Sequence, residues 1–264
     1  MQNFEYHKPT SVSDAASAMG DDAKLMAGGM TLLPTMKQGL AMPSDIIDLS
    51  EVSEMKGISD VGNGVKVGAM CTHAEVAGSS DVQSAIPALA ALADGIGDRQ
   101  VRNRGTIGGS LANNDPAADY PAAALGLGAT IHTNQRDIAA DDFFTGMFET
   151  ALGDDEIITA VTFPKPKRAA YVKFPNPASR YALVGVMVAE APDGCRVAVT
   201  GAGQDGVFRQ TEMEQALKKQ VHKGDIDGIK QSAEGMNSDI HASAEYRAHL
   251  VGVMAQRACD AITG

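Results

Sequence analysis

The sequence predicts an α+β protein of two parts, joined by a short proline-containing linker. Across residues 13–131, segments with a helical spacing of apolar residues alternate with short apolar runs typical of strands. Across residues 169–200, three strand-like runs follow one another without helices between them. The two prolines of residues 164–168 fix φ, lack amide donors and interrupt regular structure. We therefore predict one domain over residues 1–165 and a smaller α+β domain with an antiparallel sheet over residues 169–264.

The beginning of the chain is predicted to form a small βαβ-like unit. Residues 13–19 have a helical pattern, in which Ser13 is placed to cap the helix and Gly20 to stop it. Residues 24–27 and 46–49 are apolar runs typical of buried strands. The unit therefore ends close to residue 50.

The next part of the first domain is predicted to continue with strands and helices. Residues 65–70 alternate in polarity as a half-buried strand does. Thr72 and Glu75 have the spacing of a capping box, which indicates that a helix begins between them. Residues 86–93 are rich in alanine and predict a packing helix, and residues 120–131 predict a helix that turns into a strand.

The C-terminal domain is predicted to hold a hairpin-rich sheet followed by helices. Its strands and helices are expected, in chain order, at residues 169–174, 182–189, 196–200, 213–219 and 242–262. Residues 201–206 fit the G-x-G-x-x-G pattern of a dinucleotide site. That site requires a helix opening within the motif, whereas residues 207–209 continue as a strand. A glycine hairpin is therefore favoured over an NAD site.

Composition excludes several classes of partner. The 264-residue chain has a formal net charge of −11, and 44% of its residues are hydrophobic. A negative field repels the phosphates of nucleic acids and anionic lipid surfaces. No apolar run approaches the roughly 20 residues of a membrane span, and no basic start precedes an apolar stretch. We expect a globular cytoplasmic protein that neither binds nucleic acid nor spans a membrane.

Metal sites are not expected in this chain. Cys71, Cys195 and Cys259 are isolated and lack C-x-x-C spacing, so they form neither a disulfide framework nor a four-thiolate cluster. No two of the six histidines have the i, i+4 spacing of a helical metal site. His73 alone lies near a glycine-rich, cofactor-lining segment, and a core or capping role is favoured for it over catalysis.

Two glycine-rich segments indicate a site for a diphosphate. Adjacent glycines occur at Gly28-Gly29 and Gly108-Gly109, each near hydroxyl-bearing residues. Without a Cβ the backbone can approach a phosphate closely, and successive amides in such a turn bind anions. A single Gly-Gly pair is as often a tight turn. Two pairs, the second followed by the Asp-Pro-x-x-Asp of residues 115–119, predict loops that hold one pyrophosphate from opposite sides.

These motifs resemble the FAD-binding medium subunit of molybdenum hydroxylases, the group that includes xanthine dehydrogenase and aerobic carbon monoxide dehydrogenase. The A-G-G-x-x-L-L-P-x-M-K of residues 27–37 resembles the first flavin loop of the family, and the T-I-G-G-S of residues 106–110 the second. Residues 112–121 are most similar to the carbon monoxide dehydrogenase branch, although many relatives have histidine or glycine where this chain has Asn113-Asn114. The resemblance implies a two-part FAD-binding domain of the PCMH type, with subdomains of about residues 1–55 and 56–165.

The resemblance also implies which residues bind FAD. In the first loop the donors would be main-chain amides, and in the second the hydroxyls of Thr106 and Ser110 would reach phosphate. Asp119 would bind the polar chain of the flavin, while for Asp115 cofactor binding and turn capping are equally favoured. The full predicted set is Leu25, Met26, Ala27, Gly28, Gly29, Met30, Thr31, Leu32, Ile96, Thr106, Ile107, Gly108, Gly109, Ser110, Asp115, Asp119, Ile158, Lys173 and Tyr181.

Four members of this set would lie near the ring or enclose the cofactor. Ile96 falls where the family places an apolar side chain near the ring, Ile158 would line the pocket, and Lys173 would reach the cofactor from the second domain. Tyr181 is expected either to stack on the isoalloxazine or to pack against the protein. No catalytic residue and no metal ligand are predicted.

The family implies an electron-transfer subunit of an oxidoreductase. Its partners would be a large molybdopterin subunit and a small subunit with iron-sulfur clusters, assembled as a dimer of heterotrimers. Electrons would pass from the clusters through FAD to quinone or NAD.

Two other functions compete with this hypothesis. A self-sufficient flavin oxidase would need a substrate pocket and a base near the flavin, and often a covalent His or Cys attachment that neither loop offers. A binding or assembly protein that has lost its cofactor is disfavoured by the intact glycines and by Asp119.

Overall fold

The computed structural model describes residues 3–192 and 194–263. It begins with a three-stranded parallel sheet in which the central strand is the last along the chain. The elements are β1 (Glu5–His7), α1 (Val12–Ser17), β2 (Ala23–Met26), α2 (Leu32–Lys37) and β3 (Asp45–Asp48), followed by two short 3-10 turns, Leu49–Glu51 and Ser53–Met55. The predicted βαβ-like unit is confirmed, with β1 added at its edge.

Two details of this unit differ from the sequence prediction. The side chain that caps α1 is Ser11, which accepts a hydrogen bond from the amide of Asp14, so the expected cap at Ser13 is wrong. All three residues of β1 are exposed, so this strand lacks the apolar alternation by which strands are recognised.

Five strands between residues 58 and 164 form an antiparallel sheet. In chain order, helices lie between the second and third of these strands, and a further helix lies between the fourth and fifth. The elements are β4 (Ile58–Asp60), β5 (Gly64–Gly68), α3 (His73–Gly78), α4 (Ser80–Ala85), α5 (Pro87–Asp94), α6 (Arg99–Arg102), α7 (Ile107–Asn113), α8 (Tyr120–Leu127), β6 (Thr130–Thr133), β7 (Asp137–Ala139), α9 (Ala140–Phe143), the hairpin strands β8 (Phe144–Gly146) and β9 (Glu149–Thr150), and β10 (Ile158–Pro164). The sheet order is β4-β5-β10-β6-β7. The capping box predicted at Thr72 and Glu75 is confirmed.

The C-terminal part is a four-stranded antiparallel meander covered by a long helix. Its elements are β11 (Arg168–Pro175), β12 (Ala182–Ala191), β13 (Gly194–Gly203), β14 (Gly206–Arg209), α10 (Thr211–Ala216), the 3-10 turn Lys223–Asp225, and α11 (Ala244–Thr263). Gly203 pairs with Gly206 across the turn between β13 and β14, so the predicted glycine hairpin is confirmed. The α+β fold class is likewise confirmed.

The meander has a different hydrophobic core on each face. Val186 and Val199 pack in a cluster that includes α11, whereas Met187 and Ala198 pack with α8 in the core of the preceding part. Gly126 in α8 has no room for a side chain, since a Cβ there would lie 2.6 Å from the Met187 side chain. The chain passes from one sheet to the next through residues 165–167, and its division into domains 1–165 and 169–264 stays a prediction.

A buried arginine fastens α11 to the meander. Arg247 is only 3% exposed, and its guanidinium donates to the carbonyls of Leu183 (2.7 Å) and Gly201 (2.9 Å). It also pairs with Asp239 at 2.8 Å. Because buried carbonyls without donors are costly, this side chain holds two strands and a helix together.

We predict that Arg247→Met lowers the free energy of unfolding by about 2–4 kcal/mol, because two buried carbonyls lose their donor. Chemical denaturation followed by circular dichroism measures the change. Arg257→Met, at an exposed position of the same helix, serves as the control and should be nearly neutral. Equal stability of the two variants would contradict this role of Arg247.

His73 and Tyr120 form a buried polar pair beside α7. Their ring centroids lie 5.3 Å apart, and His73 is 5% exposed. Neither His73 Nδ1 nor the Tyr120 hydroxyl has a hydrogen-bond partner within the described ranges. Burial, assisted by the charge of Arg102, lowers the pKa of His73 to about 4. The imidazole is therefore neutral at neutral pH, which supports a core role for His73.

We predict that His73 makes the fold sensitive to mild acid. Because folding lowers its pKa from 6.5 to about 4, the unfolded chain takes up a proton first as the pH falls. As the pH falls from 6.5 to about 4, the free energy of unfolding of the wild-type chain should decrease by up to about 3 kcal/mol. The His73→Gln variant should not show this decrease. Urea denaturation across the interval measures the difference.

The control for this prediction is His249→Gln, which alters an exposed histidine and should leave the wild-type pH profile unchanged. Parallel profiles for the wild type and His73→Gln would show that His73 is not responsible.

Candidate functional site

The first glycine pair lies in a turn between β2 and α2, residues 27–31, which we call the first glycine turn. A Cβ on Gly28 would lie 1.9 Å from the carbonyl oxygen of Arg104, so only glycine allows the two backbones to meet. Gly29 has a φ of +71°, a left-handed conformation that favours glycine. Packing therefore requires glycine at position 28, and the backbone conformation favours glycine at position 29.

The amides of the first glycine turn are not used by the described part of the chain. Within residues 3–192 and 194–263, the main-chain N–H groups of Gly28, Gly29, Met30 and Thr31 donate to no protein acceptor. These residues are half-buried or exposed, so the donors are not sealed inside the core. Successive amides of this kind in a turn can bind anionic oxygens.

The second glycine pair belongs to a helix rather than to a loop. Thr106 caps α7, so Gly108 and Gly109 lie in its first turn. The amides of this segment have acceptors in the protein: Ile107 N to Cys71 O (3.0 Å), Gly108 N to Ala69 O (2.9 Å), Gly109 N to Thr106 Oγ1 (3.2 Å) and Ser110 N to Thr106 O (3.0 Å). The expectation of bare amides here is therefore wrong, because helix capping and the neighbouring strand end already use them.

The two glycine segments nevertheless face each other. A Cβ on Gly109 would lie 3.4 Å from the Cβ of Ala27 and 3.0 Å from Thr106 Oγ1. Gly108 instead presses against Ala69, where a Cβ would come within 2.5 Å of the alanine side chain. Gly108 thus packs α7 on the protein, while Gly109 lies close to Ala27 of the first glycine turn and leaves no room for a larger side chain between the two segments.

The carboxylate of Asp119 is buried and bound by two residues of β11. Tyr171 donates to it at 2.5 Å, and the ammonium of Lys173 lies 3.0 Å away. Burial raises the pKa of Asp119, and the contacts with Lys173 and Tyr171 oppose that rise. Because Asp119 precedes α8 and its partners lie in the meander, this cluster joins the two parts of the chain.

Asp115 and Tyr181 lie on the same side of the molecule. Asp115 accepts a hydrogen bond from the amide of Ala117 at 2.8 Å, so its turn-capping role is present in the structure. Tyr181 is 46% exposed; partial burial and the charges of Asp115 and Asp119 raise its pKa. The phenol thus stands beside the turn that carries both carboxylates.

The remaining predicted residues surround these groups at different depths. Leu25 and Met26 end β2 beside the first glycine turn, and Leu32 begins α2. Ile96 is half-buried in the turn between α5 and α6, whereas Ile158 is 4% exposed, with its side chain in the core.

The sequence interpretation missed three residues of this region: Arg102, Tyr171 and Arg180. The alternation of β11 could have revealed Tyr171, because residues two apart on a strand share a face and Lys173 belongs to the predicted FAD-binding set. The other two form contacts with residues 96 and 97 that no local pattern signals.

Residues 3–192 and 194–263 contain neither a cluster of metal ligands nor a membrane-spanning helix. No group of three or more His, Cys, Asp or Glu side chains is arranged to hold a metal ion. No helix there combines the length and apolar character required to cross a membrane.

Comparison with known proteins agrees with this geometry. A family model described as "FAD binding domain in molybdopterin dehydrogenase" matches residues 2–166. The chain is 33% identical to the carbon monoxide dehydrogenase medium chain of Hydrogenophaga pseudoflava, covering 98% of this chain and 96% of that protein. It is 35% identical to the nicotine 6-hydroxylase medium subunit of Paenarthrobacter nicotinovorans, covering 96% and 95% respectively.

A solved structure of carbon monoxide dehydrogenase from Hydrogenophaga pseudoflava, which lacks the Mo-pyranopterin moiety, contains a chain with the same fold. The TM-score is 0.89 at 33% identity, and the match covers 99% of this chain and 98% of that one. The family predicted from the two glycine motifs is therefore confirmed: the chain belongs to the FAD-binding medium subunits of the molybdenum hydroxylases, which are oxidoreductase subunits.

Proposed function

We propose that this chain holds FAD between the first glycine turn and the start of α7 and passes electrons through it. The observation that carries the proposal is the set of four amides at residues 28–31 that have no acceptor in the described part of the chain, in a turn that faces Gly109 at the start of α7. A diphosphate supplies the anionic oxygens that such amides bind.

The first glycine turn and the start of α7 contribute different groups to diphosphate binding. The amides of Gly28, Gly29, Met30 and Thr31 donate to the diphosphate from one side. Ser110 offers its hydroxyl from the other side. Thr106, which is 3% exposed, caps α7 with its hydroxyl, and Ile107 and Gly108 fix α7 to the protein. Leu25, Met26, Ala27 and Leu32 shape the entry to the turn.

The other predicted residues enclose the rest of the cofactor. Ile96 and Tyr181 contact the ring system. Asp119 binds the polar chain of the flavin, and Lys173, its ion-pair partner, reaches the cofactor from the C-terminal sheet. Ile158 supports the pocket from the core, and Asp115 shapes the turn before α8.

Bound FAD supplies reversible electron transfer, and the protein determines its position, its potential and its exposure to partners. We propose that the electrons come from the iron-sulfur clusters of a small subunit, which receives them from a large molybdopterin subunit. Quinone or NAD is the terminal acceptor, and the assembly is a dimer of heterotrimers in the cytoplasm.

A carbon monoxide dehydrogenase-like complex is the form that we propose, with the substrate bound on the large subunit. The similarity of residues 112–121 to that branch and the 33% identity to a carbon monoxide dehydrogenase medium chain support it.

The direct test is to purify the chain from its native host with whatever it binds, and separately to purify it alone. The expected result is a flavin absorbance spectrum with iron and molybdenum in the native material and no metal in the isolated chain. Flavin without either metal, together with substrate turnover by the isolated chain, would overturn this assignment in favour of a self-sufficient oxidase.

We predict that Gly109→Val weakens FAD binding at least about tenfold, because the new side chain lies between α7 and the first glycine turn, where even a Cβ comes within 3.4 Å of the Ala27 side chain. Titration of the FAD-free chain with FAD, followed by flavin fluorescence, measures the dissociation constant. Gly109 is a better target than Gly29, where the φ of +71° would strain any side chain whether or not FAD binds there.

The matched control for this prediction is Gly78→Val. A Cβ at Gly78 meets no heavy atom within 4 Å, so this variant should bind FAD as the wild type does. An unchanged dissociation constant in Gly109→Val would show that the diphosphate does not lie between the two segments.

A further inference from the structure

The turn of residues 95–97, which joins α5 to α6, is bound by three cationic side chains. Lys173 donates to the carbonyl of Gly95 at 2.9 Å. Arg102 donates to the carbonyls of Ile96 (3.0 Å) and Gly97 (3.1 Å), and Arg180 donates to Gly97 at 3.0 Å. Every carbonyl of this turn therefore accepts a hydrogen bond from a charged group.

The three cations come from separate parts of the chain. Arg102 lies in α6, Lys173 in β11, and Arg180 in the loop before β12. Lys173 and Arg102 are mostly covered, with side chains 12% and 15% exposed. The turn is thus held both by α6, which follows it in the chain, and by the C-terminal part. Charge-assisted hydrogen bonds of this kind are stronger than neutral ones.

Arg180, which donates to the carbonyl of Gly97, has a strained backbone conformation. Its φ is +64°, which is unfavourable for residues other than glycine. Its amide donates to Asn176 O, and its carbonyl accepts from Lys173 at 2.9 Å. Strained residues persist only where their surroundings hold them, and they are concentrated at functional sites.

We infer that Arg102, Lys173 and Arg180 form a three-cation clamp that positions Ile96 against the flavin ring and places positive charge beside it. The inference rests on the proposed function, which puts Ile96 at the ring. Arg102 and Arg180 act as positioning residues through the turn. Arg102 is paired with Asp94 at 3.5 Å and Lys173 with Asp119 at 3.0 Å, so the loss of either arginine makes the surroundings of the ring more negative. The electron-rich state of the flavin is then less favoured, because a nearby cation stabilises added negative charge.

The test compares Arg102→Gln and Arg180→Gly with Arg99→Gln. Arg99 is exposed on the same short helix as Arg102, and its side chain makes no ion pair or hydrogen bond in the part of the chain that the structure describes. The control therefore removes the same charge nearby while leaving the clamp intact. In Arg180→Gly the new residue accepts the left-handed backbone, so the guanidinium is lost without added strain.

Two quantities are measured on the FAD-loaded chain, or on the purified complex where only the complex holds FAD. The midpoint potential of the flavin should fall in both clamp variants and stay at the wild-type value in Arg99→Gln. The dissociation constant for FAD should rise about tenfold, the effect expected when one charge-assisted hydrogen bond is lost.

The outcomes separate this inference from the proposed function. A merely structural role would lower the unfolding temperature of the FAD-free chain and leave the potential unchanged, so equal potentials in all four proteins would overturn the clamp. Should Arg102→Gln fail to fold, Arg180→Gly still decides the question. A wild-type chain that takes up no FAD, alone or in its complex, would overturn the proposed function and the clamp together.

Discussion

The contact on which the site depends is the direct meeting of two backbones, Gly28 against the carbonyl of Arg104. There is no space for a side chain between them, since a Cβ would lie 1.9 Å from that oxygen. The contact brings a turn of the N-terminal parallel sheet to the segment that starts α7. The turn meets its neighbour through the Gly28 α-carbon rather than through its N–H groups, and four of its amides have no acceptor among the residues that the structure describes. The proposed FAD site thus arises from a packing constraint.

A second junction joins this region to the C-terminal meander. The Asp119 cluster, the three-cation clamp and the packing of α8 on Met187 and Ala198 all cross from one part to the other. The meander therefore helps to shape the site although neither glycine segment belongs to it. A buried carboxylate is stable only with such partners, because an isolated buried charge is costly.

The sequence predicted those features that short-range patterns encode. The capping box at Thr72, the glycine hairpin of residues 201–206 and most strands follow from residues close in the chain. The second glycine pair was expected in a loop, because its glycines resemble a turn, but Thr106 and the acceptors at Cys71 and Ala69 organise it as a helix start. The clamp escaped prediction because Lys173 and Arg180 contact carbonyls 78 and 83 residues away.

The order of the Asp119 cluster along the chain has a consequence for biosynthesis. Asp119 precedes Tyr171 by 52 residues and Lys173 by 54. During translation the carboxylate therefore emerges well before either partner, and burying it at that stage would leave an unpaired charge in the interior. The buried carboxylate at the start of α8 therefore gains its partners only after β11 has emerged. The proposed FAD site is accordingly completed late in synthesis, by a segment that contains neither glycine pair.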